Sequence, residues 1–360
     1  PRATKPSEAA NRMGYAIVLT APKQIELREY AEPELGAHQV RIETLYSGIS
    51  AGTELASYRG TNPYLTKRWD AEKRLFVEGA SALTYPVTTW GYEQVGRVVN
   101  VGNAVTRVHI GDRIWGTWGH KSTHVAEQDW AAARVLAAAL DTRAGIFSHV
   151  GAIALNVVLD ADIHVGEDVA VFGQGVMGLT VTQLARLNGG TVIAVDTIPT
   201  RLALAQECGA SFTINARDQD AAHMTITKQR GADVSIEMTG AYSGLHAAIR
   251  ATAYNSRVVV AGFFQGEAKG LYLGEEFHHN RIQLISSQIS GSAPRLAHRW
   301  DRWRLNQTVM QLQAQGKLDL TRLISHTFPA HRAADAFQLL DESAANALQV
   351  VLAFGEGVQF

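Results

Sequence analysis

A cluster of glycines in the middle of the chain lies between a short apolar run and a segment with helical spacing. Residues 169–172 lead directly into Gly173, Gly175 and Gly178, and leucines follow at helical intervals. The first glycine permits a tight turn, the second lets a diphosphate approach the backbone, and the third lets helix and strand pack closely. Unpaired N–H groups at the helix start then bind the phosphates. The predicted dinucleotide-binding residues are Gly173, Gln174, Gly175, Val176, Met177 and Gly178.

An acidic residue after the next apolar run indicates which dinucleotide binds. Asp196 lies eighteen residues beyond Gly178, where a carboxylate can accept hydrogen bonds from the adenosine ribose hydroxyls. A 2′-phosphate there would be repelled, so the sequence favours NAD over NADP. Arg201 is close enough in sequence to contact a 2′-phosphate, but it could also stack near the adenine or be a solvated helix charge. The alternative for the whole cluster is a set of turn glycines in an ordinary α/β domain.

Two later segments are predicted to line the same crevice. Residues 237–240 and 261–263 follow apolar runs, and the carboxyl ends of parallel strands border the binding crevice at the switch point of such sheets. We therefore expect Thr239, Gly262 and Phe263 to lie near the nicotinamide half of the dinucleotide. The alternative is that these glycines belong to ordinary loops.

The elements that would position these residues follow from the hydrophobic pattern. Four apolar runs alternate with helical segments and predict a buried parallel sheet: 169–172, 192–195, 234–237 and 258–261. Pro199 and Gly209 mark the ends of one of the helices. Residues 15–129 contain short β-branched runs broken by glycine and predict a β-rich unit, although residues 54–89 fit neither period. A helix-rich tail from about residue 292 ends in a strand-like run.

The bulk composition excludes several classes of protein. A chain of 360 residues is expected to form two domains, and 33 basic against 34 acidic residues give no sign of a nucleic acid or membrane partner. One cysteine, Cys208, excludes an internal disulfide and a cysteine-rich zinc site. We expect residues 1–12 to form a polar tail without the features of a secretory signal, and no apolar run long enough to cross a bilayer. The predicted location is the cytoplasm.

Three further motifs carry a family resemblance. Residues 45–54 (LYSGISAGTE), 91–98 (GYEQVGRV) and 108–114 (VHIGDRI), together with the glycine cluster, resemble the medium-chain dehydrogenase/reductase superfamily, which includes zinc alcohol and polyol dehydrogenases. The resemblance implies an α/β protein in which a GroES-like β-rich catalytic domain is joined to a Rossmann domain with a doubly wound parallel sheet.

The resemblance also implies a domain layout and an assembly. Residues 13–148 and 289–360 are expected to form the catalytic domain, and residues 149–288 the NAD-binding domain, with the active site in the cleft between them. A small-molecule substrate and a homodimer or homotetramer are expected by the same resemblance.

Departures from the family pattern concern the metal. The positions of the three zinc ligands are occupied here by Ser50, Tyr92 and His149. Hydroxyl and phenol groups are poor ligands beside thiolate and imidazole, so we expect no catalytic zinc. The four-cysteine zinc lobe of the family is also absent. The context of Ser50 resembles a zinc-lacking branch that includes bacteriochlorophyllide side-chain dehydrogenases and sugar or cyclitol dehydrogenases.

Without a metal, a side chain must take the proton during hydride transfer. We expect Tyr92 to hydrogen-bond the substrate oxygen and His149 to lower the pKa of Tyr92 or to relay the proton. Ser50 would add a hydrogen bond, and Glu93 would orient the group. The alternative is that Tyr92 only fills the space of a lost metal site and that His149 is a core histidine.

The predicted activity is reversible oxidation of a polyhydroxylated or bulky secondary alcohol with NAD. One alternative is a zinc-free C=C or quinone reductase, against which Asp196 counts because those relatives prefer NADPH. The other is a catalytically silent NAD-binding protein. Several aromatic and arginine side chains suit a sugar ring or an anionic group, or else form a surface: Tyr58, Arg59, Tyr64, Trp69, Arg295, Arg299, Trp300 and Trp303.

Overall fold

Two six-stranded sheets and two hairpins make up the β-structure of the described chain. The structure, a computed structural model, describes residues 12–79, 81–223 and 227–355, so the predicted polar tail lies outside it except for Arg12. Its strands are β1 (Met13–Ala21), β2 (Gln24–Ala31), β3 (Gln39–Ile49), β4 (Lys67–Asp70), β5 (Leu75–Glu78), β6 (Glu93–Val101), β7 (Arg113–Gly116), β8 (Thr123–Glu127), β9 (Asp168–Phe172), β10 (Thr191–Asp196), β11 (Phe212–Asn215), β12 (Ala232–Glu237), β13 (Thr252–Val260), β14 (Gln283–Ser286), β15 (Ile324–Pro329) and β16 (Gln349–Ala353). Its α-helices are α1 (Ala51–Arg59), α2 (Gln128–Ala132), α3 (Phe147–Ala161), α4 (Val176–Leu187), α5 (Pro199–Glu207), α6 (Tyr242–Ala251), α7 (Arg302–Ala314) and α8 (Ala333–Glu342).

The parallel sheet has the order β11–β10–β9–β12–β13–β14. From β9 the chain adds β10 and β11 on one side, and it then returns to add β12, β13 and β14 on the other side. This change of direction between β9 and β12 is typical of doubly wound sheets that bind dinucleotides. The four predicted apolar runs are β9, β10, β12 and β13, so this part of the prediction is confirmed. The sequence pattern missed β11 and β14, because these edge strands carry exposed side chains, such as Phe212 and Leu284, and lack a continuous apolar run.

The second sheet draws strands from both ends of the chain. Its order is β15–β16–β3–β6–β7, with β8 also paired to β3. The strand-like run near the carboxyl end is β16, and it lies antiparallel to β3 with Val350 opposite Ile49. The predicted fold class, a β-rich domain beside a doubly wound parallel sheet, is confirmed.

The segment at 54–89 contains elements too short to show a period. Helix α1 ends at Gly60, whose φ of 78° is the left-handed conformation that glycine adopts readily. Strands β4 and β5 then form a small antiparallel hairpin. Helix α1 carries Glu54 on its buried face, and its N-cap is Ser50. The helix therefore places residues 50–54 against the end of β3, where the cleft begins.

Helix α3 packs in the interior between the two sheets. Its residue Val150 belongs to one apolar cluster with Val95 of β6 and Val171 of β9. Contrary to the sequence expectation, the helical segment Thr142–Ala161 is long and apolar enough to span a membrane, but 83% of its apolar 18-residue window is buried inside the protein. We interpret it as a core helix. Its first turn carries His149 to the wall of a cavity described below.

Candidate functional site

Two adjoining cavities, of about 330 Å³ and about 520 Å³, form a cleft between the two sheets. Both are lined by Ser50 at the start of α1, by Met177 at the start of α4 and by Thr239 after β12. Residues from the β-rich half therefore face the glycine cluster across a common space. The cleft lies at the carboxyl ends of β9 and β12, which is where ligands bind in open parallel sheets.

The glycine cluster has the geometry that dinucleotide binding requires. Gly173 has a φ of 89°, and a Cβ atom on Gly178 would overlap the carbonyl oxygen of Gly173. A Cβ atom on Gly175 would meet only the Arg201 guanidinium, at 4.0 Å. Gly173 and Gly178 are thus required by the backbone conformation and by the close packing of the turn. Gly175 is not required for either reason, and the space in front of it is open to a ligand.

The carboxylate of Asp196 lies beside this cluster and is almost fully buried. It accepts hydrogen bonds from the backbone N–H groups of Gln174 at 2.6 Å, Thr197 at 2.7 Å and Ile198 at 2.9 Å. A carboxylate has about four acceptor positions, so Asp196 retains capacity for a ligand hydroxyl. The Gln174 side chain points inward and donates to Val171, so only the backbone of Gln174 faces the cleft region.

Arg201 extends from α5 across the cleft to the segment after α8. Its guanidinium donates to the carbonyl oxygens of Ala344 and, at 3.1 Å, Ala347. Burial lowers the pKa of Arg201, while the charge of Asp196 raises it. The interpretation of Arg201 as a solvated helix charge is therefore wrong. Its cation lies next to Gly175, where it can neutralise a bound phosphate group.

Val176, Met177 and Gly178 line the smaller cavity, as their place in the loop predicted. Thr239, Gly262 and Phe263 line the larger one together with Ser50 and Tyr92. A Cβ atom on Gly262 would overlap the backbone nitrogen of Gly240, so the close approach of the two strand ends requires glycine there. Eight of the predicted binding residues therefore line the cleft: Gly175, Val176, Met177, Gly178, Arg201, Thr239, Gly262 and Phe263. Gly173, Gln174 and Asp196 lie next to them without lining either cavity.

Tyr92 precedes β6, and its hydroxyl lies among the hydroxyls at the start of α1. Tyr92 Oη hydrogen-bonds Ser50 Oγ and donates to Thr53 Oγ1 at 3.2 Å. Burial is the largest cause of a strongly raised pKa of Tyr92, and the nearby carboxylates Glu93 and Glu54 raise it further. Tyr92 is therefore a neutral phenol near neutral pH. It can donate or pass on a proton, but it is not a resident tyrosinate base.

His149 contacts Tyr92 through its ring and not through a hydrogen bond. The two ring centroids are 5.1 Å apart and the rings meet edge-on at 82°. The expectation that His149 lowers the pKa of Tyr92 is wrong, because burial and carboxylates dominate that site. Burial and the charge of Arg302 lower the pKa of His149 itself to about 4, so its imidazole is neutral at physiological pH. His149 borders a cavity, so it is not enclosed in the core.

Glu93, the first residue of β6, lies behind Ser50. Its Oε2 accepts a hydrogen bond from Gln349 Nε2 at 2.9 Å. Burial raises the pKa of Glu93 to about 8, and Glu54 raises it too, while hydrogen bonds from Gln349 and Ser50 lower it. Ser50 therefore lies between Tyr92, which it hydrogen-bonds, and the buried carboxyl group of Glu93, whose pKa it lowers.

A second buried series holds Ser50 in place, and the sequence did not predict it. Glu54 Oε1 accepts from the backbone nitrogen of Ser50 at 2.9 Å, and Glu54 Oε2 contacts His120 Nε2 at 2.7 Å. The other ring nitrogen of His120 lies 2.7 Å from Ser47 Oγ. Glu54 and His120 come from distant parts of the chain, so only the fold brings them together. The one sequence signal was the acidic residue Glu54 four positions after Ser50, in the first turn of α1.

The Glu93→Gln variant is expected to become more stable relative to the wild type as the pH rises. The quantity compared is the free energy of unfolding of the two proteins at each pH. The folded pKa of Glu93 is about 8, whereas an unfolded glutamate has a pKa of about 4.3. Between these values only the folded state holds the proton. The contribution of Glu93 to stability is thus fully present below about pH 4.3 and falls by up to about 1.4 kcal/mol per pH unit until the pH passes the folded pKa.

Urea unfolding from about pH 6 to about pH 9 measures this difference in unfolding free energy. Glu29→Gln, at an exposed position of β2, is the control and should show no such trend. A stability difference between wild type and Glu93→Gln that does not change with pH would contradict the buried, proton-holding role of Glu93.

The donor set at the family's metal position does not fit zinc. Ser50 and Tyr92 offer neutral hydroxyls that are already hydrogen-bonded to each other, and only His149 is a normal zinc ligand. In the described ranges, one group of three potential ligand side chains lies within metal-binding distance: His246, Glu275 and Glu276. That group lies on α6 and a helical turn before β14, outside the cleft.

The aromatic and arginine residues singled out from the sequence lie in different parts of the structure and do not form one site. Tyr58 is a core residue that packs on Phe337, and Trp69 is exposed on the β4–β5 hairpin. Arg59 lines both cavities of the cleft that contains the glycine cluster. Trp303 is the one that borders a cavity of about 430 Å³ with Tyr92 and His149. The sequence missed Arg134 and Arg302 in this cavity, since neither lies in a motif.

Two family models match consecutive parts of the chain. "Alcohol dehydrogenase GroES-like domain" covers residues 36–167 and "Zinc-binding dehydrogenase" covers residues 176–303. D-guloside 3-dehydrogenase of Escherichia coli (strain K12) is 28% identical over 317 residues, which are 86% of this chain and 90% of that protein. The chain belongs to the medium-chain dehydrogenase/reductase superfamily and is one of its alcohol dehydrogenase-like oxidoreductases.

Two solved structures share the whole fold. A protein from Sinorhizobium meliloti 1021, solved with NADP, has a TM-score of 0.75 and 24% identity, and the match covers 95% of this chain and 99% of that chain. A short chain alcohol dehydrogenase from Escherichia coli CFT073, complexed with NADH, has a TM-score of 0.74 and 22% identity, with coverage of 95% and 99%. At these identities the likeness supports the fold alone.

Proposed function

We propose that this oxidoreductase carries out reversible, NAD-dependent oxidation of a secondary alcohol on a polyhydroxylated substrate, without catalytic zinc. The observation that carries the proposal is the position of Tyr92. Its side chain borders both the cleft that holds the glycine cluster and the separate cavity that contains His149. A hydroxyl at that boundary can contact a substrate oxygen next to a bound nicotinamide.

Asp196 supports NAD as the cofactor. The carboxylate lies at the end of β10 with spare acceptor capacity, so it suits ribose hydroxyls and would repel a 2′-phosphate. Arg201 beside Gly175 suits the diphosphate, which both dinucleotides share. One structural relative holds NADP and another NADH, so the choice for this chain depends on Asp196.

The chain's own residues supply a route for the proton. Bound NAD⁺ would accept the hydride from the alcohol carbon. The hydroxyl of Tyr92 turns from Thr53 to Ser50 for this step. The alcohol hydroxyl donates its proton to Tyr92 Oη as Tyr92 passes its own proton to Ser50, and Ser50 passes its proton to the Glu93 carboxylate. Reduction runs through the same series in reverse. Oxidation requires ionised Glu93, whose population increases as the pH approaches about 8.

The cavity beside Tyr92 supports a polyhydroxylated substrate. Trp115 and Trp303 stack with ring centroids 5.6 Å apart on its wall, and the half-buried indole of Trp303 adds apolar surface beside the space for a sugar or cyclitol ring. The relative that acts on D-guloside is consistent with a substrate of this class.

A fluorescence titration with NADH and NADPH, a zinc assay of the purified protein, and an NAD⁺ reduction screen against polyols, sugars and cyclitols, each as the neutral compound and as its acid or phosphate ester, test the proposal. We expect selective NADH binding, turnover of a member of the panel, and turnover that survives a chelator. NADPH preference with enone reduction would favour a C=C or quinone reductase instead. Binding of NADH without turnover on any panel would favour a silent NAD-binding protein.

The proposal includes a cytoplasmic homodimer or homotetramer. The relatives are metabolic dehydrogenases, which is consistent with that location. Strand β14 is an edge of the parallel sheet in the described chain and carries the exposed Leu284, so it offers a surface for a second copy. Light scattering of the purified protein measures the assembly.

A further inference from the structure

The cavity that contains His149 has a positively charged wall. Arg134 and Arg302 both line it, and none of its ten lining residues within the described chain is acidic. The carboxyl groups near Tyr92, namely Glu93 and Glu54, lie behind Tyr92 and outside this cavity. An excess of cations in a space of about 430 Å³ would attract an anionic ligand.

Arg134 is held in position by aromatic side chains. Its guanidinium carbon lies 4.2 Å from the ring centroid of Trp130 and 4.5 Å from that of Trp303, and Nη1 donates to the Trp130 carbonyl at 3.0 Å. Burial lowers the pKa of Arg134, and no described carboxylate contributes to its environment. These two ring contacts and one hydrogen bond restrain the guanidinium, and of its N–H groups only Nη1 has a hydrogen-bond partner within the described residues.

Ser148 supplies an independent sign of a ligand. It is fully buried, it borders the same cavity, and its Oγ has no hydrogen-bond partner among the described residues. A buried hydroxyl without a partner is unfavourable, so a polar group is expected to occupy the space that it faces. Ser148 is adjacent to His149, so this polar group would lie near the proposed reaction centre.

A second arginine-rich cavity does not have this character. There Arg295 pairs with Asp162 at 2.5 Å and Arg304 donates to the carbonyl of Arg299, so part of the charge and hydrogen bonding is already satisfied. That cavity lies at the other end of α3 and does not include Tyr92 or His149.

We propose that the cavity lined by Arg134, Arg302 and Ser148 binds an anionic substituent, a carboxylate or a phosphate ester, of the polyhydroxylated alcohol that the enzyme oxidises. This inference rests on the proposed function, because it assumes that the reacting hydroxyl lies at Tyr92. Arg134 and Arg302 bind the anion, Ser148 donates a hydrogen bond, and Trp303 contacts the carbon chain. The substrate is thus an acidic or phosphorylated polyol, and neutral polyols are poor substrates.

Three compounds with the same six-carbon chain test the charge requirement by calorimetry. They are D-glucitol, which is neutral, D-gluconate, which carries a carboxylate, and D-glucitol 6-phosphate. With the NADH-loaded protein, at least one of the two anions should bind about 10- to 100-fold more tightly than D-glucitol, the range for hydrogen bonds to a charged group. Whichever anion binds more tightly identifies the carboxylate or the phosphate as the preferred group.

Arg302→Gln should remove this preference. Arg302 is exposed at the first position of α7, so the variant is expected to fold and to bind NADH normally. Arg299→Gln, at an exposed arginine close by in the chain, is the matched control and should keep the preference. Equal binding of the neutral and anionic compounds, no binding of any of them, or a preference that survives in Arg302→Gln would overturn the inference.

The same titrations without NADH separate this inference from the proposed function. A wild-type protein that discriminates the anions but binds no NADH would contradict the proposed function and leave the anion site supported. A protein that binds NADH and oxidises neutral polyols as well as anionic ones would support the proposed function and contradict the anion site.

Discussion

Replacing Tyr92 with phenylalanine is expected to lower kcat for alcohol oxidation about 100- to 10,000-fold, the usual contribution of a positioned proton-transfer group. The substitution removes the hydroxyl that connects the substrate space to Ser50 and Glu93. It leaves the ring in its contact with His149. The affinity for NADH should stay unchanged, because the glycine cluster and Asp196 are not affected.

Steady-state kinetics and an NADH fluorescence titration on the same preparation measure both quantities. Tyr85→Phe is the matched control, because Tyr85 also donates a hydroxyl hydrogen bond, to the carbonyl of Ser57 at 2.6 Å, but does not border the cleft. The control should retain the wild-type kcat. If Tyr92→Phe also retains it, Tyr92 only fills the position of a lost metal ligand, and the proposed proton route is incorrect.

The Glu93 carboxyl explains why Tyr92 alone is an insufficient base. Burial and the nearby carboxylates raise the pKa of Tyr92, so its phenol is already protonated and can accept the substrate's proton only as it passes on its own. Glu93, with a pKa of about 8, can accept it. The buried Glu54–His120 pair fixes the backbone of Ser50 and so keeps the middle member of the series in register. The arrangement assigns the two roles, contact with substrate and storage of the proton, to different residues.

The cofactor half of the site could be predicted from the sequence because its requirements are local. Gly173 needs a positive φ, Gly178 needs space next to Gly173, and Asp196 follows one strand later. These conditions depend on one strand, one turn and one helix, so they appear as a spaced motif. The structure gives Gly173 and Gly178 the backbone geometry that this motif requires, and their binding of a dinucleotide stays a prediction.

The catalytic half could be predicted only in part. The resemblance located Ser50, Tyr92 and His149 at one centre, but it could not give the electrostatics. The pKa of Tyr92 is raised by burial and then by Glu93 and Glu54, and that of His149 is lowered by burial and by Arg302, which is 153 positions further along the chain. Such effects depend on distances between elements that no spacing in the sequence records. The effect of His149 on Tyr92 was predicted wrongly for this reason.

The positively charged wall of the cavity that contains His149 could not be predicted from the sequence either. Arg134 follows the short helix α2, and Arg302 begins α7, so the sequence gives no sign that they share a cavity. The sequence did single out tryptophans and arginines near residue 300. Of those, Trp303 borders the cavity, while Arg295, Arg299 and Trp300 line the other one. Side chains in neighbouring turns of one segment thus serve different cavities.

Replacing Gly175 with valine is expected to weaken NADH binding by about 100-fold or more, because the branched side chain fills the space where the diphosphate approaches the backbone. Gly175 has a φ of −73° and a ψ of −171°, which valine adopts without strain. A Cβ atom there meets only Arg201, at 4.0 Å. The variant should therefore fold with a Tm close to that of the wild type.

Gly178→Ala provides the contrast that makes the result specific. Its Cβ atom would overlap the carbonyl oxygen of Gly173, so the helix and strand must move apart and the Tm should fall. Gly291→Val, at a position with open space and outside the cleft, should change neither the Tm nor NADH binding. Thermal denaturation and NADH titration of the three variants separate a blocked site from a damaged fold. If Gly175→Val binds NADH as tightly as the wild type, the dinucleotide does not lie on the glycine cluster, and both the cofactor site and the position assigned to Tyr92 next to the nicotinamide are wrong.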